Sequence, residues 1–133
     1  MAEIFGIGID MVDIERVAEL RRRHGERLSH IIFRPEEAAY CLARANPDEC
    51  LAARFAAKEA VMKALGTGWA DGVSFMGIEV VREESGKPGI RLHGSTLEKA
   101  QELGVGKIHL SLSHARTAAV AHVVIEKAVC PDP

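Results

Sequence analysis

Long apolar runs are missing from this sequence. None reaches the roughly 20 residues of a membrane-spanning helix, and the opening stretch lacks the pattern of a signal peptide. These absences argue against a helical membrane protein. Charge of one sign is missing too: Lys and Arg total 17 against 19 Asp and Glu, a net charge of −2, so nothing draws the whole chain toward nucleic acid. Aromatic residues make up only 5%, too few to interleave with basic side chains. Cysteine is sparse. Cys41, Cys50 and Cys130 form an odd set without metal-like spacing, which leads to the expectation of a reducing cytoplasm and of buried or unreactive thiols. His24, His30, His93, His109 and His122 are scattered without ligand spacing and read as surface or core residues.

What is present fits one domain. The chain has 133 residues, 47% hydrophobic and 27% charged, ordinary values for a globular protein with a single core. A strand runs from Ile4 to Asp10. Asp13 can cap a helix to about Arg23, with Ile14, Val17, Ala18 and Leu20 apolar. Pro35 opens a second helix to about Arg44, and Asn46-Pro47-Asp48 breaks the chain before a third. A loop holding Trp69 precedes a strand from Ser74 to Arg82, which Ser85-Gly86-Lys87-Pro88 turns into a partner around Ile90 to Leu92. Ser95-Thr96-Leu97-Glu98 has capping-box spacing for a helix stopping at Gly104. Two strands follow, one carrying Ile108, Leu110 and Leu112 and one from Ala118 to Ile125. The expected order is β-α-α-α-β-β-α-β-β, a compact α+β domain over residues 1–126 with a frayed tail over 127–133.

Two segments carry more information than the rest. In the third helix Ala52, Ala56, Ala60 and Ala64 recur every fourth residue, a smooth stripe that lets another backbone approach closely. Phe55, Glu59 and Lys63 form a second stripe with an acid and a base on one face. That face suits a metal and a phosphate. It equally suits a solvated Glu-to-Lys pair worth only about 0.3–0.5 kcal/mol. At the N-terminus, strand periodicity points Phe5, Ile7 and Ile9 one way and Gly6, Gly8 and Asp10 the other. Bare backbone ending in a carboxylate invites close approach, either by a ligand or by a packed helix. Gly6-Ile7-Gly8 lacks the third glycine of a dinucleotide fingerprint, and Gly66-Thr67-Gly68 follows a helix where a phosphate loop would precede one. The latter reads as a C-cap.

Gly6-Ile7-Gly8-Ile9-Asp10, the ungapped run from Arg54-Phe55 through Lys58-Glu59 and Lys63-Ala64 to Gly66, and the turn Ser111-Leu112-Ser113-His114 together resemble the holo-acyl-carrier-protein synthases, small 4'-phosphopantetheinyl transferases. The resemblance spans about Ile4 to Glu126. Ala118 departs from it where many members have an aromatic residue. It implies helices packed on an antiparallel sheet and transfer of 4'-phosphopantetheine from coenzyme A to a serine of apo acyl carrier protein, leaving 3',5'-ADP. It implies Mg²⁺ held by Asp10 and Glu59, and Lys63 neutralising the phosphates. Glu59 and a metal-bound water are both candidates for deprotonating the serine. Arg54, Lys63, Gly66, Gly68, Ser113 and His114 are the implied coenzyme A contacts. Arg16 and Arg23, in a basic helix that composition alone reads as a solvated face, are the implied dock for the acidic carrier. A homotrimer acting in fatty-acid biosynthesis, with no nucleic-acid or membrane partner, completes the expectation. A non-catalytic coenzyme A or carrier-binding module and a Mg²⁺-dependent hydrolase of the same pyrophosphate are compatible with the same motifs.

Overall fold

The computed structural model describes residues 2–68 and 71–129. The expected loop at Trp69 and the tail from Cys130 onward lie outside the described residues.

The alanine-rich segment forms a 19-residue helix, α4 (Pro47–Leu65), on which the other elements are laid. Pro47 and Asp48 belong to its first turn, so the helix starts earlier than the sequence break suggested, because proline at that position gives up an N–H with no helical partner. Gly66 ends the helix in the left-handed region at φ 79°, its N–H reaching the Met62 and Lys63 carbonyls. Ahead of it come β1 (Ile4–Asp13), α1 (Ile14–His24), a 3-10 turn (Gly25–Arg27), the short α2 (Leu28–Ile31) and α3 (Pro35–Leu42). After it come β2 (Ile78–Arg82), β3 (Pro88–Leu92), α5 (Gly94–Leu103), β4 (Val105–His114) and β5 (Ala118–Lys127). Asp13 caps α1 as expected, accepting from the Glu15 N–H at 3.2 Å.

Strands β1, β5 and β4 form one antiparallel sheet in the order β1-β5-β4, and β2 and β3 form a separate hairpin. The main sheet turns Gly6, Gly8 and Val12 of β1 and Ala119, Ala121, Val123 and Ile125 of β5 toward α4. Its other face carries Ile7, Ile9 and Met11, each more than half exposed. A register shift between Ile4 and Gly6 breaks the expected alternation, and Phe5 packs at the edge of the core.

The glycine face and the alanine stripe meet each other. A Cβ built on Gly8 would collide with the Ala60 carbonyl oxygen, and one on Gly6 with that of Ala64. Ala52, Ala56 and Ala60 are fully buried. Helix packing is therefore what the bare backbone of β1 serves, and Asp10 follows it at the rim.

Three expectations are corrected. The strand expected from Ser74 begins only at Ile78, because residues 74–77 turn instead: the Gly77 N–H reaches both the carbonyl and Oγ of Ser74. The capping box at Ser95 does not form. Residue Ser95 donates to the Gly72 carbonyl and Thr96 accepts from the Ser74 N–H, so those hydroxyls pin the preceding loop and α5 starts at Gly94. Finally, Cys41 and Cys50 are joined in a disulfide, where reduced thiols were expected. Nine residues apart in sequence, they are brought to a Cα separation of 5.3 Å as α3 reverses into α4, within bridging range.

Among the described residues Lys58 is the one lysine buried completely. Its ammonium donates to Glu37 Oε1 of α3 at 2.6 Å and to the Phe75 and Ile78 carbonyls at 2.9 and 2.6 Å. Glu37 in turn accepts from the Val80 and Arg34 N–H groups. Burial pushes the Lys58 ammonium below its ordinary pKa, and Glu37 opposes that shift. With every donor answered, this node ties α4, α3 and the β2 entry together.

The glycine–helix contact is testable. Gly8→Ala should lower unfolding free energy by about 3 kcal/mol or more, beyond the usual overpacking cost, because the clash is with backbone on both sides. Urea unfolding measures it. A loss below about 1 kcal/mol would contradict the contact.

Candidate active site

Two polar clusters flank α4. At its C-terminal end Asp10, Glu59, Lys63 and Arg16 converge. Asp10 lies on the glycine face of β1, two residues beyond Gly8. Lys63 Nζ donates to Asp10 Oδ1 at 2.9 Å and to the Ile9 carbonyl at 3.0 Å. Its partner is therefore Asp10 of β1, and the Glu-to-Lys pair that spacing alone suggested is replaced by a cross-element bridge. Lys63 remains 55% exposed at the side chain, free to swing to another anion. Glu59 is half-buried. Burial raises its carboxyl pKa first and the neighbouring Asp10 charge raises it further, with Lys63 and Arg16 opposing. Two carboxylates held close enough to repel are a site that gains from a cation. Among the described residues no third His, Cys, Asp or Glu joins them. Two carboxylates with the remaining positions left to water and phosphate oxygens is the set Mg²⁺ takes.

The second cluster surrounds a cavity of about 370 Å³ that includes Tyr40, Arg44, Arg54, Ser113 and His114. Arg54 is buried, its guanidinium 4.5 Å from the centre of the Tyr40 ring, which Arg44 also faces at 5.3 Å. Burial pushes the Arg54 guanidinium below its ordinary pKa, and its Nε has no partner. His114 lies 3.3 Å from Glu49 Oε1. Beside the Glu49 carboxylate, which His114 faces, the concave wall holds two guanidiniums, a hydroxyl and an imidazole, groups suited to a phosphate.

The structure gathers Arg54, Ser113 and His114 in one cluster and Asp10, Glu59 and Lys63 in the other, with Gly66 and Gly68 following Lys63 in left-handed conformations. The two groups lie on different faces of α4. Glu59 and Lys63 are about 40° apart around the helix, whereas Arg54 and Glu59 are about 140° apart at about 100° per residue. The basic helix is partly neutralised by its own acids and by one from α4. Arg22 pairs with Glu15 and Glu19, Arg23 with Glu19, and Arg21 with Asp48. Arg16 alone of the two expected docking residues lies beside the acidic cluster. Sequence reading passed over Lys58. It interrupts the apolar series Leu51, Phe55, Met62 and Leu65, and a charge in the middle of a core stripe was the available signal.

A family model described as the 4'-phosphopantetheinyl transferase superfamily matches residues 6–122. The holo-acyl-carrier-protein synthase of Koribacter versatilis is 47% identical over 123 residues, 92% of this chain and 98% of that one. The crystal structure of the Neisseria meningitidis holo-acyl-carrier-protein synthase superposes with a TM-score of 0.86 at 36% identity, over 93% of this chain and 99% of that one. The Helicobacter pylori synthase, solved in complex with coenzyme A, superposes with a TM-score of 0.79 at 30% identity, over 90% and 98% of the two chains.

The strain on Glu59 has a stability consequence. Its folded pKa lies above the ordinary 4.5, so the folded state holds its proton more tightly than the unfolded state does. Stability therefore falls as pH rises from 4.5 through the raised folded value. Glu59→Gln should therefore melt above wild type at neutral pH in metal-free buffer, the gap closing as pH falls toward 4.5. A lower melting temperature for the variant at neutral pH would contradict the electrostatic assignment.

Proposed function

Because the chain belongs to the 4'-phosphopantetheinyl transferase superfamily, we propose that the two clusters on α4 are the reacting end and the nucleotide-holding end of one transfer centre. The protein is a holo-acyl-carrier-protein synthase: it moves 4'-phosphopantetheine from coenzyme A to a serine of apo acyl carrier protein and releases 3',5'-ADP. The single observation that carries the residue assignment is the convergence of Asp10, Glu59 and Lys63 at one end of α4.

In this reading Asp10 and Glu59 hold Mg²⁺, which when bound supplies positive charge to the pyrophosphate oxygens. The carrier serine oxygen forms a bond to the phosphorus that bears the pantetheine arm, and the bond from that phosphorus to the 3',5'-ADP oxygen breaks. Glu59 is assigned the serine proton. Lys63 exchanges Asp10 for a phosphate oxygen, meeting the charge that grows as the leaving group departs. Arg54, Ser113 and His114 hold the 3'-phosphate end, and Gly66 and Gly68 border the site between them. Arg16, beside Glu59 and free of the ion pairs that occupy Arg21, Arg22 and Arg23, faces the acidic carrier. Arg23 is a secondary contact, since Glu19 already draws on its charge. The setting is cytoplasmic fatty-acid biosynthesis.

We further assign the protein a homotrimeric state. Ile4, Ile7, Ile9 and Met11 present a row of 55–70% exposed apolar side chains along β1, a patch of the kind that marks an interface. The 140° or so between Arg54 and Glu59 on α4 favours a site completed across such an interface, one chain giving the acidic cluster and its neighbour the basic cavity.

Kinetics with coenzyme A, Mg²⁺ and apo carrier, read as the mass of the carrier, test the assignment. Asp10→Ala should abolish transfer in a folded protein. Lys63→Met should lower kcat by ~10²-fold or more while changing stability by only a few tenths of a kcal/mol. Arg16→Glu should raise KM for the carrier and leave that for coenzyme A near wild type. Unchanged kcat in Lys63→Met would return that residue to an ordinary surface bridge. Free phosphopantetheine without modified carrier would replace transfer by hydrolysis, and no product at all would leave only a binding module.

Mixing tests the shared site. Inactive Asp10→Ala and inactive His114→Ala chains, combined under conditions that exchange subunits, should recover part of the wild-type activity in particles of trimer mass by light scattering. A fully active monomer at assay concentration would rule the sharing out.

A further inference from the structure

The Cys41–Cys50 bridge lies against the basic cavity. Cys50 is one of the cavity's wall residues, and Arg54 Nη1 donates to its sulfur at 3.2 Å. Cys41, by contrast, is fully buried in the core. The bridge also closes the turn at residues 43–46, which carries Arg44 and Asn46 into the same cavity wall.

We propose that Cys41–Cys50 is a thiol-exchange site whose redox state sets the affinity of this cavity for a phosphorylated nucleotide. The proposal rests on the reading that the cavity holds the 3'-phosphate end of coenzyme A. Only Cys50 is open to attack. The thiolate of a small thiol or dithiol reductant attacks Cys50 Sγ, the disulfide breaks, and Cys41 leaves as a thiolate that takes a proton. A second reductant thiolate then attacks the reductant's own sulfur in the mixed disulfide, expelling Cys50 as a thiolate. The reductant leaves as its disulfide, two electrons having passed to the protein.

The two states differ at Arg54. In the bridged state Cys50 is a neutral, weak acceptor, and the guanidinium keeps its charge for a ligand. After reduction the guanidinium stands beside a thiol whose ionised form it favours, and an ionised Cys50 would compete with phosphate for the same donor. Reduction also releases the turn that presents Arg44, so that segment must be ordered again on binding. Both changes act in one direction, toward weaker binding. The acidic cluster is on another face of α4 and is left as it was.

The test compares the full-length protein in two states on a Cys130→Ser background, one bridged and one reduced, distinguished by the two-hydrogen mass difference. KM for coenzyme A should rise about three- to tenfold on reduction, with kcat and KM for the carrier little changed. Cys41→Ser/Cys50→Ser should show no response to reductant. Arg54→Met should raise KM for coenzyme A in the bridged state and shrink the difference between states to the part that the released Arg44 turn contributes. Equal KM values in the two states, with Arg54→Met still impaired, would overturn the switch and leave the cavity's assignment standing. An Arg54→Met protein with wild-type KM would overturn both.

Discussion

The fold turns on a contact between two backbones. Gly6 and Gly8 of β1 lie so close to the carbonyls of Ala60 and Ala64 that no side chain fits between strand and helix. Neither partner can supply this alone: larger residues on the helix would hold the strand away, and a Cβ on the strand would strike the helix. Everything at the acidic end follows from that distance. Asp10 continues the glycine face of β1 two residues beyond Gly8, and Lys63 reaches it from the last turn of α4. The helix position itself is held from the opposite side by Lys58, whose bonds run to α3 and to the entry of β2.

This arrangement places opposite electrostatic problems on two faces of one helix. Near Glu59 two carboxylates repel in a half-buried setting. Near Arg54 a desolvated guanidinium has an unanswered Nε and a sulfur for a neighbour. Each is unfavourable in the protein by itself, and under the proposed function each would be relieved by a different part of one ligand set, a divalent cation on one face and a phosphate on the other. Unfavourable local electrostatics of this kind are what functional sites retain at the expense of stability. The buried Lys58–Glu37 pair, satisfied at every donor, shows that the chain can complete a charged network where no ligand is needed.

Much of this was legible in the sequence because it rests on local patterns. The four-residue alanine spacing, the alternating Gly6, Gly8 and Asp10, and the Asp13 cap each specify geometry within a few residues, and each forms. What escaped depends on distant partners. Ser95 and Thr96 had capping-box spacing, yet Gly72 and Ser74 claim their hydroxyls. The apolar stretch from Ser74 read as strand, but its turn delivers the Phe75 and Ile78 carbonyls to Lys58, a demand set by another helix. Cys41 and Cys50 looked unrelated because their pairing depends on the reversal between α3 and α4. Of the site residues, the acid–base trio was recognisable from spacing and resemblance. The charge that Glu15, Glu19 and Asp48 remove from the arginine-rich helix could be seen only in three dimensions.

The claim on which the account depends is that the glycine–alanine contact brings Asp10 and Glu59 together around one divalent cation. The most direct measurement is a crystal structure grown with Mn²⁺ in place of Mg²⁺ and with coenzyme A, read at the manganese anomalous edge. The account predicts one strong anomalous peak per site within roughly 2.0–2.3 Å of a carboxylate oxygen from each of Asp10 and Glu59, with pyrophosphate oxygens completing the shell. Coenzyme A bound with no anomalous density between those two carboxylates, or with the metal held by other residues, would contradict it.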